Sequence, residues 1–180
     1  SGELSQDMSA YDYGQSTMAY FNRIAGKTAS LFATAAQGGA MIAGARDVWV
    51  EALRSYGENL GMAFQIVDDC LDFMGEAHVF GKTLGSDCDA GVLTLPLIRL
   101  VSLVPEDKKS EVFQIFKSAL GEEKLSYLRN LIMEYGTIDY SLEKAKTFTD
   151  RARLELEVLK NSPARRSLEI LLDYVLERSR

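Results

Sequence analysis

The chain has 180 residues, is 47% hydrophobic and carries a formal net charge of −6. That length and apolar share suffice for one buried core, and the negative balance excludes a nucleic acid or an anionic membrane surface as a partner drawn by bulk charge. No apolar run approaches the ~20 residues that a bilayer-spanning helix needs, so no transmembrane segment is expected.

The N-terminus has no basic start followed by an apolar stretch, so no signal peptide is expected. Cys70 and Cys88 make no framework of bridges. They read as free thiols of a reducing compartment, which points to the cytoplasm.

Taken in chain order, the segments carry helical periodicity throughout. Met18 to Ala45 is rich in Ala, Leu, Ile, Phe and Met and predicts a buried helix softened at Gly38-Gly39. Asp47 to Phe73 predicts a long helix, with Val48, Leu53, Tyr56, Leu60, Phe64 and Val67 at roughly helical spacing. Gly57 and Gly61 inside it permit another helix to come close. From Gly75 to Gly91 the periodicity stops, and the glycines there predict a loop. Thr94 to Val104 is apolar again, with Pro96 tolerable in a first helical turn. Pro105-Glu106-Asp107 opens another helix. Leu154, Leu156 and Leu159, then Leu168, Leu171, Leu172 and Val175, mark helical faces on either side of a break at Ser162-Pro163. No strand pattern of convincing length occurs, so the class is all-α.

One segment departs from the amphipathic norm. In Gly61-Met62-Ala63-Phe64-Gln65-Ile66-Val67-Asp68-Asp69-Cys70-Leu71-Asp72, three carboxylates interrupt an apolar run. Burying carboxylates without cations or water is costly. On a helix Asp68 and Asp72 share a face, with Asp69 beside them, and like charges at that spacing repel. A hard divalent cation would relieve the repulsion. Few carboxylates and little else suit Mg²⁺, which keeps waters and often shares phosphate oxygens. Two lysines are placed to meet a phosphate. Lys82 lies in the glycine-bearing loop, and Lys27 stands in the otherwise apolar Lys27-Thr28-Ala29-Ser30-Leu31-Phe32. A lysine in that setting needs an anionic partner or a path to solvent. Acids for Mg²⁺, two lysines and aliphatic walls together describe a diphosphate carrying a greasy tail.

Phe64-Gln65-Ile66-Val67-Asp68-Asp69-Cys70-Leu71-Asp72 resembles the second aspartate-rich motif of trans-isoprenyl diphosphate synthases. Gly81-Lys82-Thr83-Leu84-Gly85-Ser86-Asp87 and Thr94-Leu95-Pro96-Leu97-Ile98 resemble the segments downstream of that motif in the same family. Lys27-Thr28-Ala29, Gly38-Gly39-Ala40 and Leu171-Leu172-Asp173-Tyr174-Val175 resemble other landmarks of the family. Its earlier D-D-x-x-D motif with an arginine pair, and its N-terminal Gly-Lys-Arg segment and histidine, have no match, and Arg165-Arg166 does not fit the arginine pair. Residues 1–180 are therefore expected to be the C-terminal part of a single synthase domain.

The resemblance implies an antiparallel helix bundle around a central cavity, with N-terminal helices missing, and a homodimer in the full-length protein. It implies an Mg²⁺-dependent condensation of isopentenyl diphosphate onto an allylic diphosphate. On that reading Asp68 touches the metal, while Asp69 and Asp72 act directly or through metal-bound water. Lys27 and Lys82 hold the diphosphate, Thr28 and Gln65 line the site near the reacting carbon, and Phe64 shapes its wall. Val92 stands where many relatives carry lysine, which leans toward a longer-chain enzyme and removes one phosphate contact.

Plainer readings stand beside these. The acids could be a solvated helix end, and Lys27 and Lys82 ordinary surface lysines. His78 reads as an exposed bystander, and Cys70, a poor ligand for Mg²⁺, as packing. Trp49, Met41 and Met62 read as core, and Arg151 with Glu155 as an exposed helical ion pair. A different class, a non-catalytic helical subunit that modulates a partner synthase, is motivated by the missing first motif. A terpene cyclase is a third class, opposed by Lys27-Thr28-Ala29 and Gly81-Lys82. Exposed apolar faces on an incomplete bundle are expected to drive association.

Overall fold

A computed structural model describes residues 15–74, 86–116 and 121–178. Every regular element among them is helical. Helix α1 (Thr17–Ile24) is capped by Ser16, whose side chain accepts from the Ala19 amide at 3.1 Å. It passes without a break into a π-helical turn, Ala25–Ala29, and on into α2 (Ser30–Ile42). The expected single helix is thus one continuous rod with an over-wide turn at Ala25–Ala29. Such bulges recur at functional sites, and this one carries Lys27 and Thr28.

Gly38-Gly39 does not interrupt α2. The helix ends instead at Gly44, whose φ of 65° is left-handed. The Gly44 amide returns to the Met41 carbonyl and the Ala45 amide to the Ala40 carbonyl, each at 3.0 Å. This doubly bonded glycine stop satisfies the last carbonyls of the helix. The chain then reverses into α3 (Asp47–Met74), which packs along α2.

α3 is the hub of the fold. It contacts α2, the π-turn, α5 (Leu95–Leu103), α8 (Thr137–Glu155) and α9 (Pro163–Glu177). Its apolar face buries Tyr56, Leu60, Ala63, Ile66, Val67 and Cys70, and Val48 at its start stays exposed. The close approach expected of Gly57 and Gly61 is realised. A Cβ on Gly57 would lie 2.5 Å from the Phe32 carbonyl oxygen, and one on Gly61 would lie 2.6 Å from the Ala29 Cα.

The expected loop after α3 falls largely on residues 75–85, outside the described residues, as do Lys82 and His78. A short turn of helix, α4 (Ser86–Asp89), leads to Gly91 at φ 72°. α5 follows with Pro96 in its first turn, and α6 (Glu106–Phe116) starts after Pro105. α7 (Glu122–Glu134) stops at Gly136, whose φ of 60° again marks a left-handed turn. α8 then runs along α3 to a 3-10 turn at Leu156–Val158. α9 begins where Ser162-Pro163 predicts, with the Ser162 hydroxyl accepting from the Arg165 amide at 3.2 Å.

Several side chains depart from the expected core. Met62 is buried, but Met41 is exposed, and Leu154 and Leu171 face outward while Leu156, Leu172 and Val175 are buried. Trp49 is half-buried under the Arg46 guanidinium and donates to the Val158 carbonyl at 3.2 Å. Arg151 lies over the Phe148 ring, and the ion pair of that face is Lys146–Asp150 at 3.0 Å instead of Arg151–Glu155. Contrary to the expected buried helix, α2 buries only Ala33 and Ala40. Ser30, Thr34 and Gln37 share one polar stripe of the helix, while the apolar Leu31, Met41 and Ile42 are left exposed.

Candidate active site

The site is built where the π-turn crosses the last turns of α3. Gly61 allows the Ala29 backbone to lie against α3, which brings Thr28 to Gln65. The Thr28 hydroxyl donates to Gln65 Oε1 at 2.6 Å. Gln65 Nε2 in turn donates to Asp69 Oδ1, one helical turn on, at 2.8 Å. Asp69 Oδ2 accepts from the Tyr20 hydroxyl at 2.7 Å. One unbroken chain of hydrogen bonds therefore runs from α1, through α3, back to the π-turn.

The three carboxylates occupy three different settings. Asp69 is 4% exposed, and both of its oxygens are engaged in that chain. Burial pushes its carboxyl up to about 7, against the hydrogen bonds from Tyr20 and Gln65, which pull it down. Asp72 is also buried, and its Oδ2 faces the Asp87 amide at 3.3 Å, at the start of α4. Asp68 is half-buried, and its Oδ1 lies 3.7 Å from Arg178 Nη2, just past α9.

Arg178 stacks over the Phe64 ring, 4.9 Å from its centroid, and its Nη1 is buried without a hydrogen-bond partner among the described residues. Phe64 also meets Phe32 at 5.5 Å between centroids. That pair forms an apolar wall beside the Lys27-Thr28 turn. Lys27 itself is exposed, on the same turn as Thr28.

Sequence reasoning assigns no site role to Tyr20, Arg23, Asp87 or Arg178. Arg23 is buried, donates to the Leu93 carbonyl and to Gln15 Oε1, each at 2.6 Å, and so ties α1 to the segment leading into α5. Burial lowers the Arg23 pKa from its usual value, while Asp69 and Tyr20 support the charge. Tyr20 carries a readable signal, since it shares a helical face with Ile24 and Thr28. Arg178 carries none, because nothing local links it to Asp68. Cys70 behaves as expected of packing. Cys70 and Cys88 are both free and buried, and burial pushes the Cys70 thiol up, against a hydrogen bond with Ser141.

Among the described residues no three His, Cys, Asp or Glu side chains converge closely enough to hold a metal ion by themselves. Mg²⁺ characteristically takes one or two carboxylate oxygens and completes its shell with water and phosphate. The half-buried Asp68, a hard oxygen donor, fits such a partial set.

A family model described as polyprenyl synthetase matches residues 1–132. The chain belongs to the polyprenyl synthetase family. It is 37% identical to a short chain isoprenyl diphosphate synthase of Methanothermobacter thermautotrophicus, over 88% of this chain and 49% of that protein. Among solved structures it resembles a decaprenyl diphosphate synthase from Rhodobacter capsulatus, with a TM-score of 0.91 and 37% identity over 99% of this chain and 55% of that one. It also resembles a polyprenyl synthase from Caulobacter crescentus complexed with calcium and isoprenyl diphosphate, with a TM-score of 0.93 and 35% identity over 99% of this chain and 55% of that one. The chain spans about half the length of the curated relatives it matches. The all-α fold expected from the sequence is the fold that these polyprenyl synthetases share, and no described helix is long and apolar enough to cross a membrane.

Proposed function

We propose that the protein is an Mg²⁺-dependent prenyltransferase that condenses isopentenyl diphosphate with an allylic diphosphate to give a longer polyprenyl diphosphate. The observation that carries this reading is the Thr28–Gln65–Asp69 linkage, which sets the Lys27-Thr28 turn against the acidic end of α3. The Caulobacter crescentus relative, solved with a divalent cation and an isoprenyl diphosphate, supports the ligand class. The order of the motifs and the half-length match to relatives support reading residues 1–180 as the C-terminal part of one synthase domain.

In this reading Asp68 supplies the carboxylate that touches the metal. When bound, Mg²⁺ offers positive charge to the departing diphosphate. Asp72, whose Oδ2 faces the Asp87 amide at the entry to α4, acts on the metal directly or through metal-bound water. Asp69 orders Gln65. Lys27 and Lys82 neutralise the diphosphate, and Arg178 Nη1 offers a further donor beside Asp68. The C–O bond of the allylic substrate breaks toward the diphosphate, the double bond of isopentenyl diphosphate forms the new C–C bond, and the resulting cation gives a proton to the released diphosphate. Phe32 and Phe64 keep water from the electron-poor carbon. Thr28 and Gln65 turn oxygen dipoles toward it. A second copy of the chain is the partner we assign to the exposed face of α2, and the buried thiols of Cys70 and Cys88 fit a cytoplasmic setting.

A prenyl-transfer assay with labelled isopentenyl diphosphate, farnesyl diphosphate and Mg²⁺ tests the reading. Labelled product that disappears in Asp68→Ala is the expected result. Undiminished product in that variant would remove Asp68 from the site. Failure of the chain to bind either diphosphate in the presence of Mg²⁺ would overturn the function.

A further inference from the structure

Tyr20 lies outside every motif that marks the site, yet its ring is fully buried and its hydroxyl ends the hydrogen-bond chain that leads to Thr28. We propose that Tyr20 is a positioning residue which, through Asp69 and Gln65, fixes the direction of the Thr28 hydroxyl. The inference rests on the prenyl-transfer reading for its chemical meaning, but its geometry stands apart from that reading.

Donors and acceptors set the direction of the chain. A tyrosine hydroxyl has one proton, a carboxylate accepts only, and a primary amide has one accepting and one donating end. Asp69 Oδ2 faces the Tyr20 hydroxyl at 2.7 Å, so Oδ1 is left to face Gln65. Oδ1 is an acceptor whether or not a proton sits on Oδ2. With Oδ1 unprotonated, Gln65 presents its NH₂ to Asp69, which turns Oε1 toward Thr28. The single proton of Thr28 is then directed to Gln65 Oε1 at 2.6 Å. What remains on Thr28 Oγ1 is lone pairs.

The consequence is chemical. An oxygen that only accepts favours an electron-poor carbon, whereas one free to donate would favour a diphosphate oxygen. Without the Tyr20 hydroxyl, the Asp69 carboxylate can rotate, the Gln65 amide can flip, and the Thr28 proton can swing toward the anion. Several observations favour a fixed arrangement. Tyr20 and Asp69 are both buried, Arg23 lies 5.4 Å from the Tyr20 ring centroid, and Arg23 is itself held by the Leu93 carbonyl.

Tyr20→Phe keeps the ring and removes only the hydroxyl. The first readout is the side-chain amide of Gln65 in the ¹⁵N-glutamine-labelled chain, assigned by its loss in Gln65→Glu. We expect hydrogen exchange of that NH₂ to rise about ten-fold in Tyr20→Phe and to stay unchanged in Thr28→Val, the result of a donor pointed at Asp69. The opposite pattern, with exchange insensitive to Tyr20→Phe and sensitive to Thr28→Val, overturns the proposal. Should Tyr20→Phe fail to fold, the wild-type chain still decides. Nuclear Overhauser effects from the Gln65 NH₂ are expected to be stronger to the Asp69 β-protons than to the Thr28 methyl, and the reverse overturns the proposal. The second readout is turnover. Tyr20→Phe should lower kcat about ten-fold with both KM values within about two-fold, as loss of an interaction made in the transition state does. An unchanged kcat also overturns the proposal. Absence of turnover in the wild type would count against the prenyl-transfer reading, and the amide measurement alone would then decide the role of Tyr20.

Discussion

Arg178 reaches Asp68 from the far end of the chain, with Nη2 at 3.7 Å and its guanidinium over Phe64. At that distance the contact is a weak ion pair, supplemented by the guanidinium's position over the Phe64 ring. A cation so close to Asp68 opposes a second cation on the same carboxylate. Removing it should therefore help metal binding in the absence of substrate. Arg178→Ala is expected to bind Mg²⁺ several-fold more tightly than the wild type when titrated calorimetrically without diphosphate. Weaker binding in the variant would mean that Arg178 assists the metal instead of competing with it. Neither the contact nor its sign is legible in the sequence, because an arginine near the end of a helix has no local pattern that names its partner. The opposite holds for Asp68, Asp69 and Asp72. Their cost in an apolar run is visible residue by residue, although only coordinates separate the half-buried Asp68 from the buried Asp69 and Asp72.

At the scale of elements, the approach of the π-turn to α3 decides where Lys27 and Thr28 stand. Gly61 permits it, since a Cβ there would meet the Ala29 Cα at 2.6 Å and the Phe32 Cβ at 3.2 Å. Backbone cannot yield as the tip of a long side chain can. Gly61→Ala should destabilise the chain by about 3 kcal/mol, because overpacking outweighs the ~1 kcal/mol that alanine gains over glycine inside a helix. Gly38→Ala is the control. A Cβ at Gly38 meets nothing within 4 Å, so only the helical preference remains and the variant should gain about 0.5–1 kcal/mol. Urea denaturation of both variants checks this, and equal effects at the two sites would refute the close-packing account. Helix positions are largely readable in the sequence for the same physical reasons. The expected Asp47 to Phe73 is realised as Asp47–Met74, and the Ser162-Pro163 restart is realised as a capped helix. The stop at Gly136 rests on a single glycine with no proline behind it, a weaker signal than Ser162-Pro163, and its left-handed φ makes the turn explicit. The π-turn is hidden, because nothing in Ala25 to Ala29 distinguishes a widened helical turn from an ordinary one.

On the scale of the molecule, periodicity tells which positions are apolar but not what covers them. Leu31 is 72% exposed and Ile42 91%, with Met18, Met41 and Val48 also open to solvent. All of them lie on the rod formed by α1, the π-turn and α2, or at the start of α3. An apolar surface of that extent on a chain of net charge −6 is not explained by solubility. A second copy of the chain would cover it with like meeting like across a two-fold axis, the commonest arrangement of homo-oligomers. The chain is therefore expected to self-associate at micromolar concentration. The double variant Leu31→Glu with Ile42→Glu should shift sedimentation velocity toward the monomer. It should do so with little loss of monomer stability, because both side chains are already exposed and make few contacts to lose. A wild-type chain that sediments as a monodisperse monomer and unfolds cooperatively would remove the case for a covered face. Association unaffected by the two glutamates would move the contact to the exposed side of α9, where Ile170, Leu171 and Tyr174 provide a second apolar surface.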